Sequence, residues 1–243
     1  MHDFPSPDAE FVDACAAAGI GLEPEDLDRL RQYLILLYKA NERMNLTGIR
    51  NPALGWLRHI FDSLTLLPWL VAKEDELGTC SVIDIGTGGG CPGLPLACVR
   101  PTISMTLLDS TRKKTVFLEE TVAALGLTNV RVVTDRAETA GHDSFHRGQY
   151  DIVVCRAVGR LPILLEYAVP LAKEHGLVLS IKGAQAQAEI EESKLAIHAL
   201  HSEIVEVVQT PTGRVIVIEK KRKTPAKYPR GVGEPSKSPL GSS

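Results

Sequence analysis

The spacing of apolar positions changes once along the chain. From Pro24 to Ala40, Leu27, Leu30, Leu34 and Leu37 recur three and four apart, which predicts one face of a helix. A second helical stretch is predicted from Pro52 to Ala72, with Ile60, Leu64 and Leu67 on one face, and the polar run Asn41 to Gly48 joins the two. After Gly78 short apolar, β-branched runs alternate with helical patterns. Strands are predicted at Ser81 to Ile85, Ile103 to Leu108, Val130 to Val133, Tyr150 to Val154 and Leu177 to Ile181. The intervening helices are predicted at Pro92 to Val99, Arg112 to Leu125, Leu161 to Lys173 and Ala184 to Leu200. Strands this apolar argue for a mainly parallel sheet covered on both faces. The last two runs, Glu203 to Val208 and Arg214 to Glu219, are joined by only Gln209 to Gly213. No crossover helix fits there, so they predict an antiparallel hairpin. The expected fold is α/β and Rossmann-like, seven strands ending in a hairpin. Its expected parts are a helical extension (1–78), an α/β domain (79–220) and a tail (221–243).

Chemistry enters at the first strand. Val82-Ile83-Asp84-Ile85 runs into Gly86-Thr87-Gly88-Gly89-Gly90-Cys91-Pro92-Gly93 and then a helix, with Pro92 expected at its first position. Glycines there allow a sharp turn and let backbone approach a ligand. A dinucleotide loop wants a sixth-position Gly or Ala, and this chain has Cys91. It reads instead as GxGxG (Gly86, Gly88, Gly90) after the acidic Asp84. Asp109 ends the second strand, 19 residues after Gly90, where a carboxylate can accept both hydroxyls of an adenosine ribose. Strand, loop, helix, strand and acid in that order indicate an adenosine cofactor, with S-adenosylmethionine (product S-adenosylhomocysteine) ahead of a nicotinamide dinucleotide.

Composition narrows the picture. Aromatic residues are 5% of the chain, too few for a stacking platform, and no run approaches the roughly 18 apolar residues of a membrane span. The start shows no basic region followed by an apolar run, so no leader is expected. Five scattered cysteines (Cys15, Cys80, Cys91, Cys98, Cys155) without a CxxC pair argue against disulfides and zinc and for a reducing cytoplasm. The net charge of −3 conceals an asymmetry. Lys220, Lys221, Arg222, Lys223, Lys227, Arg230 and Lys237 face only Glu234, so this segment carries +6 and the remainder −9. Interrupted by Pro225, Pro229 and Pro235 and followed by Pro239, the segment is expected to form no helix, and reads either as a solvated tail or as a phosphate-contacting arm.

These residues support a resemblance. The chain resembles the RsmG (GidB) family of bacterial 16S rRNA guanine-N7 methyltransferases from about Tyr38 to Leu240. The motifs are Asn45-Leu46-Thr47, Arg58-His59-Ile60-Phe61-Asp62-Ser63-Leu64, the loop Asp84 to Gly93, Leu107-Leu108-Asp109-Ser110 and Arg112-Lys113-Lys114. Arg136-Ala137-Glu138, Arg156-Ala157, Lys182-Gly183 and Thr224-Pro225-Ala226-Lys227-Tyr228-Pro229 complete them. The resemblance implies the class I S-adenosylmethionine-dependent methyltransferase fold. It also implies that Gly86, Cys91, Ala137, Glu138 and Arg156 line the cofactor site. The family usually has a larger apolar residue where Cys91 stands, and a more basic tail at Gly231 to Glu234. The implied partner is 16S rRNA, within the small ribosomal subunit, met by a monomer away from any membrane.

Guanine N7 carries a lone pair and no proton, so its methylation needs no general base. Arg58, His59 and Lys182 are candidates for positioning the substrate, although Arg58 and Asp62 also have the spacing of an intrahelical ion pair. Amino-directed enzymes carry an Asn/Asp-Pro-Pro-aromatic turn after the fourth strand, and here Cys155-Arg156-Ala157-Val158 stands instead. Cys155, ending an apolar strand, is expected to be an inert thiol. Methylation of another RNA or a small molecule, or cofactor binding without catalysis, stays open on the residues alone.

Overall fold

In a computed structural model, residues 4–241 are described; residues 1–3, at the start of the chain where no leader is expected, and 242–243, at the end of the tail, lie outside the described residues. Helices α1 (Ala9–Ala17) and α2 (Pro24–Met44) open the chain. Asp8 caps α1, which the apolar spacing does not reveal, by accepting the Phe11 N–H at 2.9 Å. α2 runs four residues beyond Ala40 and stops where Asn45 turns left-handed at φ +50°. Its buried face is Leu30, Tyr33, Leu34 and Leu37.

The stretch predicted as one helix from Pro52 to Ala72 is instead four pieces. A 3-10 turn (Pro52–Leu54) leads into a π-helical turn (Trp56–Phe61), then α3 (Asp62–Leu64) and α4 (Leu67–Leu77). Pro68 lacks the N–H that a continuous helix would need there, so α4 starts afresh with it in its first turn.

From Ser81 onward strands and helices alternate as expected, apart from the short α7, which the apolar spacing does not predict: β1 (Ser81–Ile85), α5 (Gly93–Val99), β2 (Ser104–Asp109), α6 (Arg112–Ala124), β3 (Val130–Thr134), α7 (Ala137–Ala140), β4 (Tyr150–Arg156), α8 (Leu161–Ala168). β5 (Ala172–Lys182), α9 (Ala186–Glu192), α10 (Lys194–Ala199), β6 (Ser202–Thr210), β7 (Gly213–Lys220) and α11 (Glu234–Lys237) follow. Pro92 caps α5 rather than opening it. α8 stops short of Lys173 because Pro170 has no N–H with which to carry the helix on, and the chain from Ala172 joins β5. The helix predicted from Ala184 to Leu200 breaks at Ser193, whose hydroxyl donates back to the Glu189 carbonyl at 2.6 Å.

The seven strands order as β3-β2-β1-β4-β5-β7-β6, all parallel except β7, which lies antiparallel between β5 and β6. One face packs on the N-terminal helices: Leu30, Leu34, Trp56, Ile60 and Phe61 share a core with Val82, Leu107, Val154 and Val217. The other face packs on Leu161, Leu164, Leu165 and Leu200.

The basic tail is neither a solvated appendage nor a free arm. Arg147 donates to the carbonyls of Thr224, Pro225 and Tyr228, and Arg230 forms a two-pronged pair with fully buried Glu166. Tyr228 and Pro235 are buried, and residues 221–241 form a strap along the outside of α8. One helical turn forms despite the prolines, because Pro235 occupies a first-turn position whose N–H has no helical acceptor. Among the described residues no helix is long and apolar enough to cross a membrane.

Candidate functional site

The site lies beyond the carboxyl ends of the parallel strands, where β1 and β4 diverge to opposite halves of the sheet. There β1 delivers Asp84 beneath the glycine turn. Its Oδ2 accepts the Thr87 hydroxyl at 2.6 Å and the Gly93 N–H at 2.8 Å, while Oδ1 is buried without a partner. Burial pushes this carboxyl up to about 7. Asp109, ending β2, accepts the Gly88 N–H at 3.0 Å on one oxygen and the Thr111 N–H at 2.8 Å on the other. Gly88 has φ +59°, and a Cβ there would meet nothing nearer than 3.9 Å, so the turn is open above it. Gly93 is the contrary case. A Cβ on it would lie 2.4 Å from Leu107 and 2.9 Å from Asp84, so this glycine serves helix–strand packing, not a ligand. Gly90 is likewise closed off, by Leu94.

The opposite wall comes from the N-terminal helices. The Tyr33 hydroxyl, buried in α2, donates to the Gly89 carbonyl at 2.9 Å and meets Cys91 Sγ at 2.9 Å. Burial holds the Cys91 thiol up, so it is an uncharged wall. The π-helical turn presents Arg58 and His59. Arg156, ending β4, donates to the Arg58 carbonyl at 2.6 Å and to His59 Nδ1 at 3.1 Å, and lies 3.9 Å from Asp62. Asp62 also meets Arg58 at 3.8 Å and accepts the Thr212 hydroxyl from the β6–β7 turn. Burial and the two arginines push His59 down to about 3, so its ring is neutral.

These walls enclose a cavity of about 660 Å³. Gly86, Gly88, Cys91, Arg58, His59, Arg156 and Lys182, all singled out in the sequence, line it. Asp84 and Gly90 lie behind the turn, and Asp109 beside it. Ala137 and Glu138 sit at the start of α7, off the cavity, where Glu138 accepts the Gly233 N–H of the strap at 2.9 Å. Lys182 donates to the Gly159 carbonyl and pairs with Glu189 at 2.8 Å, so its charge is already engaged. Cys155 is fully buried and its thiol is raised to about 12, which leaves it inert. Sequence reasoning misses Tyr33 and Thr47 as cavity residues. A polar tip on an otherwise apolar helix face is the available signal for Tyr33.

Solved structures share this fold. The ribosomal protein L11 methylase from Lactobacillus delbrueckii subsp. bulgaricus superposes with a TM-score of 0.50 at 17% identity, covering 67% of this chain and 80% of that one. The putative methyltransferase yhhF from Escherichia coli gives 0.50 at 19%, covering 66% and 86%. The sheet order and the glycine turn define a Rossmann-like protein with the class I S-adenosylmethionine-dependent methyltransferase fold. Sequence comparison goes further. The GidB model, described as rRNA small subunit methyltransferase G, matches residues 26–217. The ribosomal RNA small subunit methyltransferase G of Sorangium cellulosum is 41% identical over 224 residues, 92% of each chain. That of Deinococcus radiodurans is 42% identical over 229 residues, 91% of this chain and 88% of its own. The chain belongs to the rRNA small subunit methyltransferase G family.

Proposed function

We propose that this methyltransferase acts from S-adenosylmethionine on N7 of one guanine in 16S rRNA, in the cytoplasm, as a monomer meeting the small ribosomal subunit. The carrying observation is that, among the described residues, no ionised general base stands free in the cavity. Asp62 is held by Thr212 and two arginines, Glu189 by Lys182, and both His59 ring nitrogens are engaged. A proton-free ring nitrogen needs none.

The residues fit the cofactor. The turn is open above Gly88, each Asp109 oxygen keeps a lone pair beyond its backbone partner, and Asp84 holds the loop from below. Asp109 would take the ribose hydroxyls, Gly86 and Gly88 the close backbone approach, and Cys91 and Arg156 the side walls; Ala137 and Glu138, outside the enclosed cavity, would meet only a far end that reaches past Asp109, and Asp84 and Gly90 would support the turn. The bound cofactor supplies an electrophilic methyl group on a sulfonium. The chain's own part is positioning and electrostatics. Arg58, whose side chain is partly exposed, faces the substrate; Arg156 orients His59, and Lys182 steadies the loop through Gly159.

The test is labelled methyl transfer onto small-subunit particles lacking the modification. Mild reduction followed by aniline cleaves at N7-methylguanosine, and cleavage at a single guanine is expected. Label on an adenine, a cytosine or a guanine amino group contradicts the reading.

A further inference from the structure

The hydrogen bonds at the mouth of the cavity leave one donor unspent. Thr47 lines the cavity in the loop after α2, and the Asn41 side chain clamps its backbone: Oδ1 accepts the Thr47 N–H at 2.9 Å and Nδ2 donates to its carbonyl at 3.1 Å. The Thr47 hydroxyl oxygen accepts the Ile49 N–H at 3.0 Å and lies 3.2 Å from His59 Nε2.

The direction of that last bond follows from the residue on the other side of the ring. A guanidinium only donates, so Arg156 at 3.1 Å from His59 Nδ1 makes that nitrogen an acceptor. In the neutral ring the proton then sits on Nε2, by assignment from the network, and Nε2–H donates to Thr47. Both lone pairs of the hydroxyl are thereby used. Its single proton remains, and among the described residues no acceptor takes it. Arg58 and Asp62, the other charged groups on this turn, are bound to each other and to Thr212.

Resting on the function proposed above, we propose that Thr47 is a specificity-determining residue that donates its hydroxyl proton to the exocyclic carbonyl O6 beside the methylated N7. Guanine presents two acceptors, N7 and O6, on that edge. Adenine presents N7 beside an amino group whose protons would face the Thr47 proton. Arg156 and His59 are then positioning residues: they turn Thr47 from an indifferent hydroxyl into an obligate donor.

The experiment uses particles reconstituted with guanine or 2-aminopurine, which lacks O6, at the target position. Wild type should lose about tenfold or more in kcat/KM on 2-aminopurine. Thr47→Val should show a similar loss on guanine and no further loss on 2-aminopurine, while Thr47→Ser restores the discrimination. Affinity for S-adenosylmethionine, read by calorimetry, should match wild type in both variants. Equal wild-type rates on the two bases overturn the inference without any variant. So does Thr47→Val that discriminates as wild type does, or that loses cofactor affinity in parallel with rate. If wild type transfers no methyl to guanine N7 at all, the functional reading falls as well.

Discussion

Asp84 shows how one residue serves the fold and carries a pH signature. Two donors converge on Oδ2, yet full burial outweighs them and raises the carboxyl from about 3.8 to about 7. The folded protein therefore binds this proton more tightly than the unfolded chain. The stability so gained is present below about pH 4 and is lost as pH rises through about 7. Asn in its place keeps an acceptor for Thr87 and Gly93 and never ionises. The stability of wild type relative to Asp84→Asn should thus fall by up to about 4 kcal/mol between pH 4 and 7. Denaturant unfolding of both proteins across that range measures it, and a difference independent of pH would contradict the assignment. His59 works in the opposite sense. Its proton affinity is lowered on folding, so its stabilising contribution is lost as pH falls from about 6.5 toward about 3.

Two elements hold the site in shape from a distance. The Arg58 carbonyl, in the π-helical turn at Trp56–Phe61, accepts from Arg156, which ties the N-terminal helices to the end of β4. On the other face, the strap is pinned by Arg230 and Glu166, and reaches Glu138 through the Gly233 N–H. Arg230→Leu would leave a fully buried carboxylate without its countercharge. The expected cost is about 3 kcal/mol, a fall in Tm of roughly 6–12 °C for a chain of this size. Replacing Glu166 by Leu as well should recover much of it, because the loss lies in the orphaned charge. Thermal unfolding of the single and double variants checks this, and equal Tm values for single variant and wild type would show the pair to be idle.

At the scale of the molecule, folding redistributes the charge asymmetry of the sequence. β7 runs antiparallel to β5, from Arg214 opposite Lys182 at the site end to Lys220 at the far end. Lys220 is buried against the Pro170 and Ala172 carbonyls, and Lys221 pairs with Glu203 and Glu219. Arg222 and Lys223 consequently lie at the end of the sheet away from the cavity. Exposed Arg50 and Arg136 stand at the site end, beside Ile49 and Ala137. Neutralising Arg50 and Arg136 should lower the log–log salt dependence of RNA binding by about 0.7–0.9 for each phosphate left without its cation. Arg222→Gln with Lys223→Gln should leave that slope unchanged. Filter binding over a salt series decides, and the reverse ranking would return the role to the tail.

Much of this is legible in one dimension. Alternating apolar runs mark the strands because a sheet buried on both faces admits little else, and the short link between the last two strands, only Pro211 and Thr212 once folded, forces β7 to run antiparallel. The glycine turn and the acids Asp84 and Asp109 lie close in sequence, so their grouping can be read directly. What lies beyond reach depends on residues far apart in the chain. Tyr33 against Cys91, Arg156 against Arg58 and His59, and Thr212 against Asp62 meet only when α2, β4 and the β6–β7 turn close over one cavity. The strap escapes a sequence reading for the same reason. Its composition matches a disordered segment, and only the tertiary structure supplies Arg147 and Glu166, which satisfy its carbonyls and its charge. Local periodicity therefore determined the elements and the cofactor turn, whereas burial and long-range hydrogen bonding decided which polar atoms are spent and which remain to meet a substrate.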